Sequence, residues 1–190
     1  MIKVLLVDNH DSFTYNLAEL LRSNRKIIFH IRKVESLVFE QISAYDKILI
    51  SPGPGIPREH PALFRILTTY GHKKSIFGIC LGMQAIASYF GGRLYNLDNV
   101  VHGQVKWIKL TSCGHRIFSS FPEQFEAGLY HSWAVSPEDF PGDLSIIALS
   151  EDGIIMGLAH QSLDICGVQF HPESIMTSFG QKILDNWVGD

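Results

Sequence analysis

Apolar runs and helical periodicities alternate along the first half of the chain. Ile2–Val7 is short, apolar and rich in branched residues, and reads as a strand buried on both faces. Asp8, Asn9 and Asp11 then mark a turn. Beyond it Phe13, Leu17, Leu20 and Leu21 recur at helical spacing, with Ser12 placed to cap the helix. Ile27–Ile31, Lys47–Ser51 and Ser75–Ile79 read as the next strands. Val34–Ile42, the stretch carrying Leu63, Ile66, Leu67 and Tyr70, and Leu81–Phe90 read as helices, the last ending at Gly91-Gly92. Strand and helix in alternation predict an α/β fold: an open, mostly parallel sheet with helices on both faces. Ligands of such sheets sit beyond the C-terminal strand ends, which points to the loops beginning at positions 8, 52, 80 and 171.

The second half changes pattern. Val105–Leu110, Ser145–Leu149, Ile154–His160 and Ile165–Phe170 read as strands joined by turns, several of them pairing antiparallel as a small added sheet. Ser178–Trp187 reads as a closing helix. No repeat, low-complexity tract or linker interrupts the chain, so residues 1–190 are expected to form one domain.

Composition narrows the function classes. Apolar residues are 46% and charged residues 18%, which is globular and argues against disorder. Sixteen basic against nineteen acidic side chains, with no basic stripe, argue against a nucleic-acid partner. No uninterrupted apolar window approaches a membrane span, and the apolar start at Met1–Val7 is too short for a signal-peptide core. Three cysteines are a poor disulfide framework and fit a reducing cytoplasm. Neither CxxC nor HExxH occurs, so no metal is expected.

The chemistry concentrates at two segments. Gly78-Ile79-Cys80-Leu81-Gly82 has the G-x-nucleophile-x-G form between an expected strand and helix. A turn that sharp strains the nucleophile's backbone and leaves no room for side chains two residues either side. It also places the sulfur at a helix N-terminus, where the thiol pKa falls, and aims the Leu81 N–H at a developing oxyanion. A lone cysteine is more often a small buried hydrophobe, the reading kept for Cys113 and Cys166. The glycines reverse those odds for Cys80. A thiol nucleophile needs a base, and the base an orienter. In Gly167-Val168-Gln169-Phe170-His171-Pro172-Glu173-Ser174 an apolar strand ends in His171. An extended His171–Glu173 segment, favoured by Pro172, puts both side chains on one side. Taken alone, the pair is as well read as an exposed histidine beside a solvated glutamate.

Together these residues resemble the class I (triad-type) glutamine amidotransferases, and most closely the glutaminase components of anthranilate synthase and aminodeoxychorismate synthase. Four segments carry the resemblance: Asp8–Asn16, Ser51-Pro52-Gly53-Pro54-Gly55, Gly78–Gln84 and Gly167–Ile175. It runs to about Asn186 and implies a flavodoxin-like architecture. It implies Cys80 as the nucleophile on the side-chain amide of glutamine, His171 as base and then acid, and Glu173 as its orienter. Gly53 and Gly55 would contact glutamine and help hold the oxyanion with Leu81. Gln84 and the backbone of Ser132 and Trp133 would hold the substrate's amino-acid end. No cofactor is implied. The ammonia would pass to a separate chorismate-binding synthase subunit, with Asp8–Asn16 near the interface. Met83, Gln104 and Trp133 depart from the residues common at these positions. Without the resemblance, Gln84 reads as a surface helix residue and Trp133 as core.

Three other readings are weaker. An α/β-hydrolase-type esterase or peptidase would place the acid before the histidine, unlike the order Cys80, His171, Glu173. A silent regulatory subunit fits poorly with an intact triad. A nucleotide-binding module lacks both GxGxxG and GxxxxGK[ST].

Overall fold

The computed structural model describes residues 1–189, Asn99 by its backbone alone. Asp190, the end of the expected domain, lies outside the described residues. The strands are β1 (Ile2–Asp8), β2 (Ile27–Lys33), β3 (Lys47–Ile50), β4 (Ser75–Ile79), β5 (Leu94–Leu110), β6 (Gln124–Val135), β7 (Leu144–Ser150), β8 (Ile155–His160) and β9 (Ile165–Val168). The helices are α1 (Thr14–Ser23), α2 (Phe39–Ile42), α3 (Pro61–Tyr70), α4 (Leu81–Tyr89) and α5 (Gly180–Val188).

Among the described residues these strands form one sheet in the order β2-β1-β3-β4-β9-β8-β7-β5-β6. The pairs from β2 to β9 are parallel, and those from β9 to β6 antiparallel. The antiparallel strands expected in the second half thus continue the parallel sheet edge to edge.

The parallel strands are buried on both faces because helices cover both. Val4 and Leu6 of β1 and Phe77 and Ile79 of β4 pack with Leu17 and Leu21 of α1 and Ile183 and Trp187 of α5. Leu5 and Val7, on alternate positions, face the layer of Leu63, Ile66 and Leu67 of α3 and Met83 and Ile86 of α4. From β1 the chain moves outward to β2 and then returns to β3 on the other side. That reversal opens a crevice above the C-terminal ends of β1 and β3. Asn9, wholly buried there, donates its side-chain N–H to the Ser51 carbonyl at 2.9 Å and its backbone N–H to Ser51 Oγ at 3.0 Å, tying the two loops together.

Several elements differ from the sequence expectation. Ser12 does not cap α1. Asp11 Oδ1 accepts the Phe13 N–H at 2.7 Å and Asp8 Oδ1 the Thr14 hydroxyl at 2.9 Å, so the two aspartates order the helix start. Val34–Ile42 breaks into a 3₁₀ turn at Val34–Ser36 and the single turn α2. β5 begins at Leu94, eleven residues before the expected strand, and β6 was not expected at all. Asn96, Asp98 and His102 in the first, and Tyr130-His131-Ser132 in the second, break the alternation of apolar and polar residues that marks a half-buried strand. Both segments form strands by pairing with each other, and the register breaks between Asn96 and Val101 and between His102 and Gln104.

Candidate active site

β4 runs into α4 through a single residue, Cys80, at φ 51° and ψ −103°. That conformation costs a non-glycine residue about 1–3 kcal/mol and persists only where the surroundings enforce it. Here they do. The Cys80 N–H donates to the Val168 carbonyl of β9 at 2.8 Å, and the Cys80 carbonyl accepts the Gln84 N–H at 3.0 Å as α4 begins. The flanking glycines leave no room for substitution. A Cβ on Gly78 would lie 2.4 Å from the Gly82 carbonyl carbon, and one on Gly82 2.8 Å from the Ile50 oxygen. The bend holds the thiol at the N-terminus of α4, where the helix dipole favours an anion.

His171 lies three residues beyond β9. Its N–H donates to the Gly128 carbonyl of β6 at 3.1 Å, and its carbonyl accepts from the Ser174 N–H at 3.1 Å and the Thr177 hydroxyl at 2.5 Å. The segment is therefore a turn around Pro172 and Glu173, not the extended stretch expected, because proline at the second position of a tight turn favours closure. The turn brings the side chains together all the same: His171 Nδ1 bonds Glu173 Oε1 at 2.7 Å, both side chains almost wholly buried. The carboxylate accepts, so Nδ1 carries a proton. Nε2 is buried without a well-formed hydrogen bond, yet close enough for the Cys80 sulfur to act on the ring. Burial alone would push the His171 pKa down. Cys80 and Glu173, by hydrogen bonding and by charge, outweigh it and raise the pKa to about 10. Phe13 and Tyr130 pack edge-on to the imidazole at 5.8 and 4.9 Å between ring centres.

Gly53 and Leu81 are brought into contact. A Cβ at Gly53 would sit 2.8 Å from Leu81 Cδ2 and 2.8 Å from the Asn9 oxygen, so only glycine permits the post-β3 loop to lie against the elbow. Gly53, Gly55, Cys80, Gln84, Ser132 and Trp133 line one cavity of about 190 Å³, together with Pro54, Tyr130 and His131. Drug-sized ligands occupy about 300 Å³ or more, so this volume suits a single amino acid. Leu81 lies behind it, buried. Glu173 instead lines a neighbouring cavity of about 360 Å³ with Phe13, Tyr130 and Ser174. Gln84 is buried, not a surface residue, and its Nε2 donates to the Trp133 carbonyl at 2.9 Å and to Gln169 Oε1 at 3.0 Å. Only its oxygen is left to meet a ligand. Trp133 is half-buried against the cavity, Met83 is core, and Gln104 is exposed on the β5–β6 hairpin.

The sequence reading missed Gln169, which donates to Cys80 Sγ at 3.3 Å. Its signal was a lone amide in an apolar strand, since a buried polar group demands a partner. Among the described residues no three His, Cys, Asp or Glu side chains group closely enough to hold a metal ion. No helix among them is long and apolar enough to cross a membrane.

Residues 5–190 match the family described as glutamine amidotransferase class-I. The chain belongs to that family. A Haemophilus influenzae relative named "Putative anthranilate synthase component II" is 49% identical to this amidotransferase over 98% of the chain and 96% of that protein. A Bacillus subtilis relative named "Aminodeoxychorismate/anthranilate synthase component 2" is 38% identical over 97% and 95%. Among solved structures, a "putative gmp synthase subunit a protein" from Thermoplasma acidophilum superposes with a TM-score of 0.88 over 99% of this chain and 92% of that one. At 23% identity this shows a shared fold.

Proposed function

We propose that this amidotransferase hydrolyses glutamine to glutamate and ammonia through a γ-glutamyl thioester on Cys80. The observation that carries the reading is the strained Cys80 at a helix N-terminus, acting on a buried imidazole whose far nitrogen is held by Glu173. The Cys80 proton passes to His171 Nε2, and the sulfur attacks the carboxamide carbon. The Leu81 N–H and the Gly53 loop meet the developing oxyanion. His171 returns its proton to the departing nitrogen, releasing ammonia. It then takes a proton from water as that water attacks the thioester, and glutamate leaves with the thiol restored. Glu173 holds the imidazole in the required tautomer and supports its charge. Gln84 and the Ser132–Trp133 backbone hold the amino-acid end of glutamine.

Ammonia in neutral water is mostly protonated and not nucleophilic. We infer that it passes to a separate synthase subunit that uses chorismate, in the cytoplasm. Anthranilate is the favoured product, from the name of the Haemophilus influenzae relative. The name of the Bacillus subtilis relative gives both synthases and supports, as the second reading, 4-amino-4-deoxychorismate or a glutaminase shared by the two. Asp8–Asn16 fits the partner contact: Tyr15 is exposed, while Phe13 touches the His171 ring.

The deciding experiment is intact-mass analysis after treatment with a glutamine-mimicking chloroketone. One label per chain, lost in Cys80→Ser, is expected; label elsewhere, or none while the assembled heteromer turns over, overturns the reading. Co-purification of the partner and identification of its aromatic product separate the two pathways.

A further inference from the structure

Between the far end of the cavity and the sulfur runs a line of buried hydrogen bonds whose directions are all determined. The Trp133 carbonyl can only accept, and it receives His131 Nδ1 and Gln84 Nε2, each at 2.9 Å. Gln84 must therefore present its nitrogen there. The same nitrogen reaches Gln169 Oε1 at 3.0 Å, so the end of the Gln169 amide that faces Cys80 is its nitrogen, 3.3 Å from the sulfur. Turning Gln84 over would set acceptor against acceptor, and turning Gln169 over would set donor against donor, in both cases away from solvent: Gln169 is wholly buried and Gln84 nearly so.

We propose that Gln169 is a further catalytic residue, whose Nε2–H holds the Cys80 sulfur as thiolate and whose orientation is enforced by Gln84 from the substrate end of the cavity. This rests on Cys80 being the nucleophile. A hydrogen bond from a neutral amide favours the charged sulfur at two points, before attack and again when the thioester collapses and the thiolate is expelled. It transfers no proton, so the role is distinct from that of His171. Gln84 has spent its nitrogen on Trp133 and Gln169, leaving its oxygen as the acceptor for a substrate ammonium. An ammonium there polarises the amide and strengthens the bonds leading to the sulfur. Recognition of the amino end is in this way joined to readiness of the thiol.

The test is the pH dependence of iodoacetamide alkylation at Cys80, followed by peptide mass spectrometry on the full chain so that exposed Cys113 does not contribute. The native charged and titratable groups about His171, the neighbour of the sulfur, are unchanged in every variant: Glu173 behind its ring, Asp11 from the β1–α1 loop, and His131 from β6; Gln169→Glu alone adds a carboxyl group. Gln169→Leu is expected to move the alkylation midpoint up by about one pH unit, a tenfold slower reaction on the acid limb. Gln169→Glu, which turns an acceptor toward the sulfur, is expected to move it further. Gln84→Met is expected to move it in the same direction by less. Folded Gln169 variants with the parental midpoint overturn the proposal. If neither folds, Gln84→Met decides alone, and a parental midpoint there overturns it. Chloroketone labelling of the parent keeps the two ideas apart. An unlabelled parent removes Cys80 as nucleophile, whereas a labelled parent with unmoved variant midpoints removes only Gln169.

Discussion

The parallel strands and the β5–β6 hairpin build opposite walls of one cavity by different means. On the parallel side, Cys80 and His171 sit on turns whose backbones are bonded to β9 and β6 and packed against glycines that admit no side chain. On the hairpin side, Tyr130–Trp133 face β5 where the register slips twice. Bulges re-aim side chains beside a sheet, and these stand opposite the residues that line the cavity. The parallel wall is over-determined and holds the proposed reacting atoms. The hairpin wall is shaped by local irregularity and is proposed to meet the non-reacting end of the substrate. Changes to the first are thus expected to act on kcat, and changes to the second on KM.

Cys80→Ala is the strongest test of that division. Glutamate release in the presence of the partner is expected to fall by about 10⁴-fold or more, while synthesis driven by added ammonia persists. Glu173→Ala removes orientation but no reacting group. A loss of about 10²-fold in kcat with little change in KM is expected from steady-state assays. Gln84, although it stands on α4, meets the same end of the substrate as the hairpin wall through the Trp133 carbonyl, and Gln84→Ala leaves an ammonium without its acceptor. An increase of about tenfold in the KM for glutamine is expected, with a much smaller change in kcat. A fall confined to kcat would erase the contrast between the walls. Asp11→Ala and Tyr15→Ala are expected to weaken partner binding and stimulation several-fold, read by titration of the synthase subunit. Unaltered association and stimulation would remove Asp8–Asn16 from the interface.

The smallest effect is on stability. The folded His171 pKa, about 10, lies above its ordinary 6.5. The folded state thus binds more protons between those values, and stability falls as pH rises through that window; below about 6.5 the contribution is fully present. His171→Asn is expected to flatten the decline in urea-unfolding free energy between pH 7 and 10. A parental slope in that variant would mean that His171 carries no raised pKa.

How far each wall could be read in advance follows from its physics. Val4–Val7 and Ile48–Ile50 are apolar on consecutive positions because helices cover both faces, and a run of that kind is visible in the chain itself. The elbow was visible because steric exclusion at Gly78 and Gly82 leaves a mark in residue type. Residues 94–104 and 130–132 carry no such mark: their strand character comes from pairing with each other across the hairpin. Gln169 carries no mark for a related reason, as its hydrogen bonds are made to Gln84 and Cys80, both remote in the chain.

Local steric and hydrophobic rules written into neighbouring residues settled the alternating α/β order, the bend at Cys80 and the nearness of Glu173 to His171. Only folding decided that His171 and Glu173 meet through a turn, that the hairpin closes the cavity, and which way the amides of Gln84 and Gln169 point. Those features depend on partners brought from elsewhere in the chain, and the direction of a buried hydrogen bond is set by whichever carbonyl stands at its end.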